Sequence, residues 1–298
     1  MDFKNNIKQA LLKERPKLSD KSLTSYVSTL SNLPRNMAND NPTNVKYFTD
    51  KVDQIIKFLK DKPARSRKSV LSPLVVLTGL EKYRKIMKED IEKYNEISIQ
   101  QKKTEKEEVN WMTWEKVMVK HDELKAAYLY AISKKQYVHK PVMDKMNDFI
   151  LLSLYVLMPP RRALDYAALK YKDFDSNKDN FIDFKKKQIV FNKYKTFRTY
   201  GKQTFDVPPE LLKYIKKWVK LKPQDGYVID TNDHSTNDVT KQLNAIFKPK
   251  KVSVNMLRHS YLTHFYASHT GTPPLTVITE VSSRMAHSIE QSLRYIKK

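Results

Sequence analysis

The chain of 298 residues has no cysteine, which excludes disulfide bonds, thiolate zinc sites and a cysteine nucleophile. It has only four glycines, Gly79, Gly201, Gly226 and Gly271. They are too scattered for a glycine-rich phosphate loop or a dinucleotide fingerprint. We therefore expect chemistry that needs no nucleotide cofactor.

Long apolar runs are also missing. The longest, residues 149–158, is interrupted by Ser153 and is about half of the ~20 residues that a membrane helix needs. The first residues, Met1 to Lys4, contain no apolar signal core. The sequence therefore predicts neither a secreted nor a membrane-spanning protein.

Positive charge is abundant. Lysine and arginine total 56 against 33 acidic residues, which gives a formal net charge of +23. Such an excess indicates a polyanionic partner such as DNA or RNA, because basic side chains that neutralise phosphates release condensed counterions. An acidic substrate and an anionic membrane stay open as alternatives at this point. With 40% hydrophobic residues, the chain has enough apolar material for a packed core.

Hydrophobic periodicity predicts a mainly helical protein with a small antiparallel sheet or hairpin in its C-terminal domain. The first hundred residues have helical spacing throughout, and residues 99–110 are strongly polar, which indicates a linker. The predicted domains are thus residues 1–98 and 111–298. The individual elements expected are helices over about Ser66–Met87, Trp114–Ser133, Val142–Met158 and Pro209–Leu221, and strands over Phe181–Phe184, Gln188–Phe191 and Thr204–Val207.

Four segments of the second half place polar residues where chemistry could use them. Arg162 follows an apolar helix and stands three residues before Asp165, so the two can pair on one helical face. Lys195, followed by Thr196, lies between predicted strands, where a lysine can reach a phosphate or instead be a solvated edge residue. Tyr295, near the end, is by itself typical of a core aromatic.

The third segment is an apparent helix that carries Asn255 and Arg258. A basic residue near a helix start also gains from the helix N-terminus as an anion site. Three histidines of this region, His259, His264 and His269, are five residues apart, which does not stack them as a helical zinc pair requires, so we expect no metal. The fourth segment contains His287.

In this order and at these separations, the segments resemble the catalytic domain of the tyrosine recombinase (phage integrase) family. That family has an arginine with an acid three residues later, a hairpin lysine, a His-x-x-Arg box, a Gly-His pair and a nucleophilic tyrosine near the C-terminus. The resemblance covers about residues 111–298. It places these roles on Arg162 with Asp165, Lys195 with Thr196, Arg258, His287 and Tyr295.

The resemblance implies a site-specific recombinase or integrase that cleaves double-stranded DNA through a covalent 3′-phosphotyrosine, without metal or ATP. Tyr295 would attack, and Arg162 and Arg258 would hold the phosphate oxygens. Lys195 would protonate the leaving oxygen, while His287 would bind the phosphate or help to take the tyrosine proton.

Three departures from the family pattern stand out. Asn255 occupies the first position of the His-x-x-Arg box, where an amide can hydrogen-bond but cannot take a proton. Ala286 replaces the usual glycine before His287. The interval from His287 to Tyr295 is one residue shorter than is common.

The family's architecture implies that residues 1–98 form a core-binding domain and that the two domains close on DNA as a clamp, in a homotetramer. The location would be intracellular, wherever the target DNA is: a host nucleus, a cytoplasmic viral factory or a prokaryotic cytoplasm. The wording around Arg162 resembles members from large DNA viruses or their satellites. The DNA contacts expected are Arg65, Arg67, Lys68, Lys193, Arg198 and Lys202.

Two other functions stay open. A type IB topoisomerase shares the tyrosine chemistry but relaxes supercoils as a monomer. A DNA-binding protein whose catalytic residues have decayed would bind without forming a covalent adduct, and Asn255 is the concrete hint for it.

Overall fold

The computed structural model describes residues 2–298. It confirms the predicted fold class, since the chain is mainly helical with one small antiparallel sheet in its C-terminal part. The chain separates into two compact units, one ending at Gln100 and the other running from Gln101 to Lys298. Of the helices within residues 2–298, none is long and apolar enough to cross a membrane.

In the first unit, the only regular secondary structure among the described residues is helical. Ser19 caps the helix α2 (Asp20–Ala38) by accepting a hydrogen bond from the amide of Ser22, as serine side chains commonly do at helix starts. Leu30 and Leu33 of α2 pack with Ile55 and Leu71 in a shared core. The elements are α1 (Phe3–Glu14), α2 (Asp20–Ala38), α3 (Tyr47–Asp50), α4 (Val52–Leu59), α5 (Ala64–Thr78) and α6 (Glu81–Ile99).

The helix predicted over Ser66–Met87 is wrong as a single element, because the structure divides it at Gly79. Gly79 has a φ of +66° and its amide donates to the carbonyl of Val75 at 3.0 Å, which ends α5. Glycine is favoured at this position because a Cβ atom strains a left-handed residue. The chain then begins α6 at Glu81.

Arg67 has a structural role within the first unit. Its guanidinium forms a two-pronged ion pair with Asp90, whose side chain is buried, and donates to the carbonyl of Lys60 at 2.9 Å. Since this cation compensates a buried carboxylate, we leave Arg67 out of the DNA-contacting surface. Arg65 and Lys68, on the same helix, are exposed.

The second unit has its core around α9, in which every residue from Phe149 to Tyr155 is buried. This explains the longest apolar run of the sequence as a central helix. Its helices are α7 (Glu105–Asn110), α8 (Trp114–Ser133), α9 (Lys140–Val156), α10 (Ala163–Ala167), α11 (Phe197–Tyr200), α12 (Pro209–Trp218), α13 (Thr236–Ile246), α14 (Val254–Ala267), α15 (Leu275–Arg284) and α16 (Ile289–Tyr295).

The three strands form an antiparallel sheet in the order β1-β2-β3. Phe181 pairs with Val190, and Gln188 pairs with Asp206. The connection from β2 to β3 is a long loop, residues 192–202, that contains the short helix α11. The strands are β1 (Phe181–Asp183), β2 (Gln188–Phe191) and β3 (Gln203–Asp206).

Candidate active site

The C-terminal end of α15 organises a cluster of arginines in the second unit. The last carbonyls of a helix have no partner within it and carry a partial negative charge, so they attract cations. Three consecutive carbonyls here each accept a hydrogen bond from a different guanidinium. The pairs are Arg161 with Arg284 at 2.8 Å, Arg258 with Met285 at 3.2 Å, and Arg162 with Ala286 at 2.8 Å.

The residue that follows this helix end has a left-handed backbone. Ala286 has a φ of +54° and is fully buried. An alanine is strained in this conformation and a glycine is not, so the structure gives a physical reason for the glycine that the family pattern has here. Thr196 also donates to the Ala286 carbonyl, at 3.0 Å, and so ties the β2–β3 loop to this end of α15.

Asp165 pairs with Arg161, not with Arg162 as the sequence suggested. Arg161 Nε donates to Asp165 Oδ2 at 2.7 Å, and both side chains are almost completely buried. Burial raises the pKa of Asp165, and the charge of Arg161 opposes that rise. The remaining donors of Arg161 reach the carbonyl of Arg284 and, at 3.0 Å, the side chain of Gln203. Of the two adjacent arginines, Arg161 is therefore buried and Arg162 is partly exposed.

Replacing Arg161 with methionine should lower the free energy of unfolding by about 3–5 kcal/mol, because it strands a buried carboxylate without its partner. Urea unfolding at pH 7 measures this loss. Arg162→Met serves as the control, since Arg162 makes no ion pair with Asp165 and should cost far less. Equal losses in the two variants would contradict the assignment of the pair.

Arg258 lies in the second turn of α14 and is fully buried. Its Nη1 donates to the carbonyl of Pro160 at 2.7 Å. Its Nε and Nη2 atoms are buried and have no hydrogen-bond partner among residues 2–298. Buried charged donors are almost always satisfied in native proteins, so this half of the guanidinium is available to an anion.

His287 is 4% exposed, and neither of its ring nitrogens has a partner within the described residues. Burial, together with the charges of Arg258, Arg162 and Arg161, lowers its pKa from 6.5 to about 3. The imidazole is therefore neutral at pH 7. It can present one N–H donor and one lone pair to a ligand.

The low pKa of His287 should make the protein less stable in mild acid. Between pH 6.5 and 3 the unfolded chain takes up a proton that the folded chain refuses, so the free energy of unfolding falls as the pH falls. At pH 5 this amounts to about 2 kcal/mol. Urea unfolding at several pH values should show a flatter decline for His287→Gln than for the wild type. Parallel profiles would argue against a buried neutral imidazole.

Tyr295 ends α16 beside these groups. Its side chain is 7% exposed, and its ring lies 4.8 Å from the guanidinium of Arg258 and 5.5 Å from the ring of His287. The hydroxyl donates to Asn255 Oδ1 at 3.4 Å. Asn255 stands in the first turn of α14, which Ser253 caps, so the tyrosine oxygen lies near a helix N-terminus.

Lys195 is the one predicted catalytic residue that the structure keeps apart from this cluster. Its side chain is exposed, and no described residue binds it. Its neighbour Thr196 contacts the carbonyl that Arg162 also contacts, so the backbone of Lys195 lies at the edge of the cluster. Lys193, Arg198 and Lys202, on the same loop, are exposed too.

The arrangement suits an anion held next to a tyrosine hydroxyl. The hydroxyl contacts the amide of Asn255, and the guanidinium of Arg258 and the imidazole of His287 lie against the ring. Together with Arg162, these groups can donate several hydrogen bonds to a ligand with two or three oxygens. Within residues 2–298, no group of three or more histidine, cysteine or acidic side chains could hold a metal ion.

Comparison with known proteins does not identify the function of this site. No protein-family model matches the chain, and no curated protein matches it. Among solved structures, the chain is similar to XerA recombinase, with 13% identical residues and a TM-score of 0.40 over 99% of this chain and 93% of that chain. A likeness this low shows neither the family nor an activity.

Proposed function

We propose that the protein is a site-specific recombinase or integrase of the tyrosine recombinase type, which cleaves and rejoins double-stranded DNA through a 3′-phosphotyrosine. The observation that supports this best is the set of unpartnered buried polar atoms on Arg258 and His287, next to the ring of Tyr295. A phosphodiester would satisfy those donors and bring phosphorus to the nucleophile.

In this proposal the guanidiniums stabilise the charge of the transition state. Arg258 offers Nε and Nη2, and Arg162 offers the donors that do not contact Ala286. Attack on phosphorus builds negative charge on the two non-bridging oxygens, and planar guanidiniums match such oxygens in pairs. Because both guanidiniums are already fixed by backbone carbonyls, little reorganisation is needed when the charge develops.

The tyrosine proton needs an acceptor other than Asn255, whose amide oxygen accepts a hydrogen bond but not a proton. His287 is neutral and can take it. The arginine charges that lower the pKa of His287 are offset when an anionic phosphate binds between them. A bound phosphate therefore opposes the part of the pKa lowering that comes from the arginines, while burial, the larger cause, stays in place.

Atoms and charges balance without a cofactor. The Tyr295 oxygen forms a bond to phosphorus, the bond from phosphorus to the 5′-oxygen breaks, and Lys195 gives its proton to that oxygen. The phosphotyrosine retains the bond energy, so a 5′-hydroxyl can reverse the step. The Lys195 side chain is exposed on the β2–β3 loop, from which it would reach the leaving oxygen of bound DNA.

The exposed cations of the β2–β3 loop and of α5 would contact the DNA backbone. They are Lys193, Arg198 and Lys202 in the second unit, and Arg65 and Lys68 in the first. Contacts of this kind weaken steeply as the salt concentration rises. Closure of the two units as a clamp, assembly into a tetramer on DNA, and a source in a large DNA virus or satellite stay predictions.

A second candidate is a DNA-binding protein without catalytic activity. It is favoured by one observation, the hydrogen bond from the Tyr295 hydroxyl to an amide in place of a basic imidazole. It requires DNA binding with no covalent adduct.

The deciding experiment is to trap the adduct on nicked duplex substrates that lose the 5′-hydroxyl after cleavage. The reaction is run with a metal chelator and separated on a denaturing gel, and the modified peptide is identified by mass spectrometry. A phosphonucleotide on Tyr295 supports the proposal. Salt-sensitive binding with no adduct, over a library of duplex sequences, supports the non-catalytic candidate. Plasmid relaxation without strand exchange supports a topoisomerase.

A further inference from the structure

His259 contacts both the backbone and the ring of Tyr295. Its Nδ1 atom lies 2.7 Å from the backbone oxygen of Tyr295, and the two ring centroids are 4.6 Å apart. Its side chain is 15% exposed. None of the roles described above uses this histidine.

We propose that His259 is a positioning residue that fixes the backbone of Tyr295 and thereby the direction of its hydroxyl. The inference rests on the proposed function, because it concerns how the nucleophile is held. A carbonyl oxygen can only accept, so Nδ1 carries the hydrogen and donates it. Nε2 then faces Glu107, whose Oε1 is 3.9 Å away. Burial lowers the pKa of His259, which favours this neutral form.

The hydrogen bond matters because α16 has only seven residues and ends at Tyr295. The last carbonyls of any helix need partners outside it, and the chain turns to an extended conformation at Ile296. Without His259 the carbonyl of Tyr295 would lose its partner beside a buried ring. When the last carbonyl of a short helix has no hydrogen-bond partner, the side chain at that end is held less firmly in position.

A second contact secures the chain just beyond the tyrosine. The amide of Lys297 donates to Thr263 Oγ1 at 2.9 Å, and Lys297 Nζ is 3.1 Å from Glu107 Oε2. His259 and Thr263 are four residues apart on α14, so they lie on one face of that helix. This face therefore binds residues 295 and 297 together and fixes the end of α16 at two points.

Two substitutions separate the hydrogen bond from the packing of the ring. His259→Asn keeps a donor close to the place of Nδ1 but removes the ring, and His259→Phe keeps a ring but removes the donor. We expect single-turnover cleavage to slow by about 10- to 100-fold in the phenylalanine variant, since a misplaced reacting group costs this much. The asparagine variant should stay within about threefold of the wild type. DNA affinity should be unchanged in both.

Normal cleavage by His259→Phe would overturn the inference, and so would equal losses in the two variants, which would indicate a packing role. Hydrogen exchange of the Lys297 amide gives a readout that is independent of catalysis. It should be faster in the phenylalanine variant than in the asparagine variant, and equal rates would also overturn the inference. If the wild type forms no adduct, the proposed function fails, and the exchange rates still decide whether His259 holds this backbone.

Discussion

Tyr295→Phe is expected to abolish the covalent protein–DNA adduct and to leave DNA affinity within about twofold of the wild type. The substitution removes one oxygen, and with it the nucleophile and a single 3.4 Å hydrogen bond to Asn255. The ring keeps its contacts with Arg258 and His259, so its packing is kept. Adduct formation is measured on the nicked substrate, and affinity by fluorescence anisotropy at a fixed salt concentration.

Tyr266→Phe is the matched control, because the Tyr266 hydroxyl is buried in the same unit and has no hydrogen-bond partner within the described part of the chain. Its adduct yield should equal that of the wild type. An adduct that persists in Tyr295→Phe would mean that another residue is the nucleophile. Loss of DNA binding in that variant would mean that the tyrosine supports the surface and not the reaction.

Arg258→Gln is expected to slow cleavage by about 10²- to 10³-fold, which is typical when one group that stabilises a transition-state oxyanion is removed. Glutamine reaches less far and has no positive charge, so the two unpartnered guanidinium donors are lost. Single-turnover cleavage on the nicked substrate gives the rate constant. Because Arg258 also binds the carbonyl of Pro160, the melting temperature is measured in parallel.

Arg284→Gln matches this change in charge away from the site, since the side chain of Arg284 pairs with Glu280 on the surface of α15. It should slow cleavage by less than about threefold. Arg258→Lys tests the geometry, because a lysine restores the charge but not the paired donors, and it should recover only part of the rate. Equal rates for Arg258→Gln and Arg284→Gln would show that only overall charge matters.

Much of the framework could be predicted from local patterns. The bounds of α8 follow directly from the apolar spacing over Trp114–Ser133, and β2 coincides with the short apolar stretch predicted over Gln188–Phe191. Helix α8 buries one face, which periodicity records, whereas β2 buries three consecutive residues on both of its faces and is indicated by its short apolar run. The break at Gly79 was missed because one glycine is tolerated in helical patterns, and only its positive φ shows that it ends a helix.

The partners inside the site could not be predicted from spacing alone. Asp165 is three residues from Arg162 and four from Arg161, and both intervals place side chains on one helical face. The choice is made by burial, which the structure shows for Arg161 and only in part for Arg162. The contact of His259 with the backbone of Tyr295 is likewise not indicated by any spacing in the sequence.

No pattern in the sequence indicates that backbone carbonyls hold the arginines. The identities of Arg284, Met285 and Ala286 do not show that their backbone oxygens bind three arginine side chains. Two of those arginines lie 123 and 124 residues earlier in the chain, and the third lies 27 residues earlier. Such contacts are independent of side-chain identity, so motif reading does not detect them. They depend on where the C-terminal end of α15 lies in three dimensions.

Three guanidiniums bind three successive carbonyls in this turn. The number of residues in the turn is therefore more constrained than the identity of those residues. The arginine cluster uses only the backbone oxygen of position 284, so a change of side chain there removes none of its contacts. Deleting a single residue between Ser283 and His287 would instead move every later carbonyl by one place, and each arginine would face the wrong oxygen. In related chains we therefore expect this turn to vary in composition while insertions and deletions collect on either side of it.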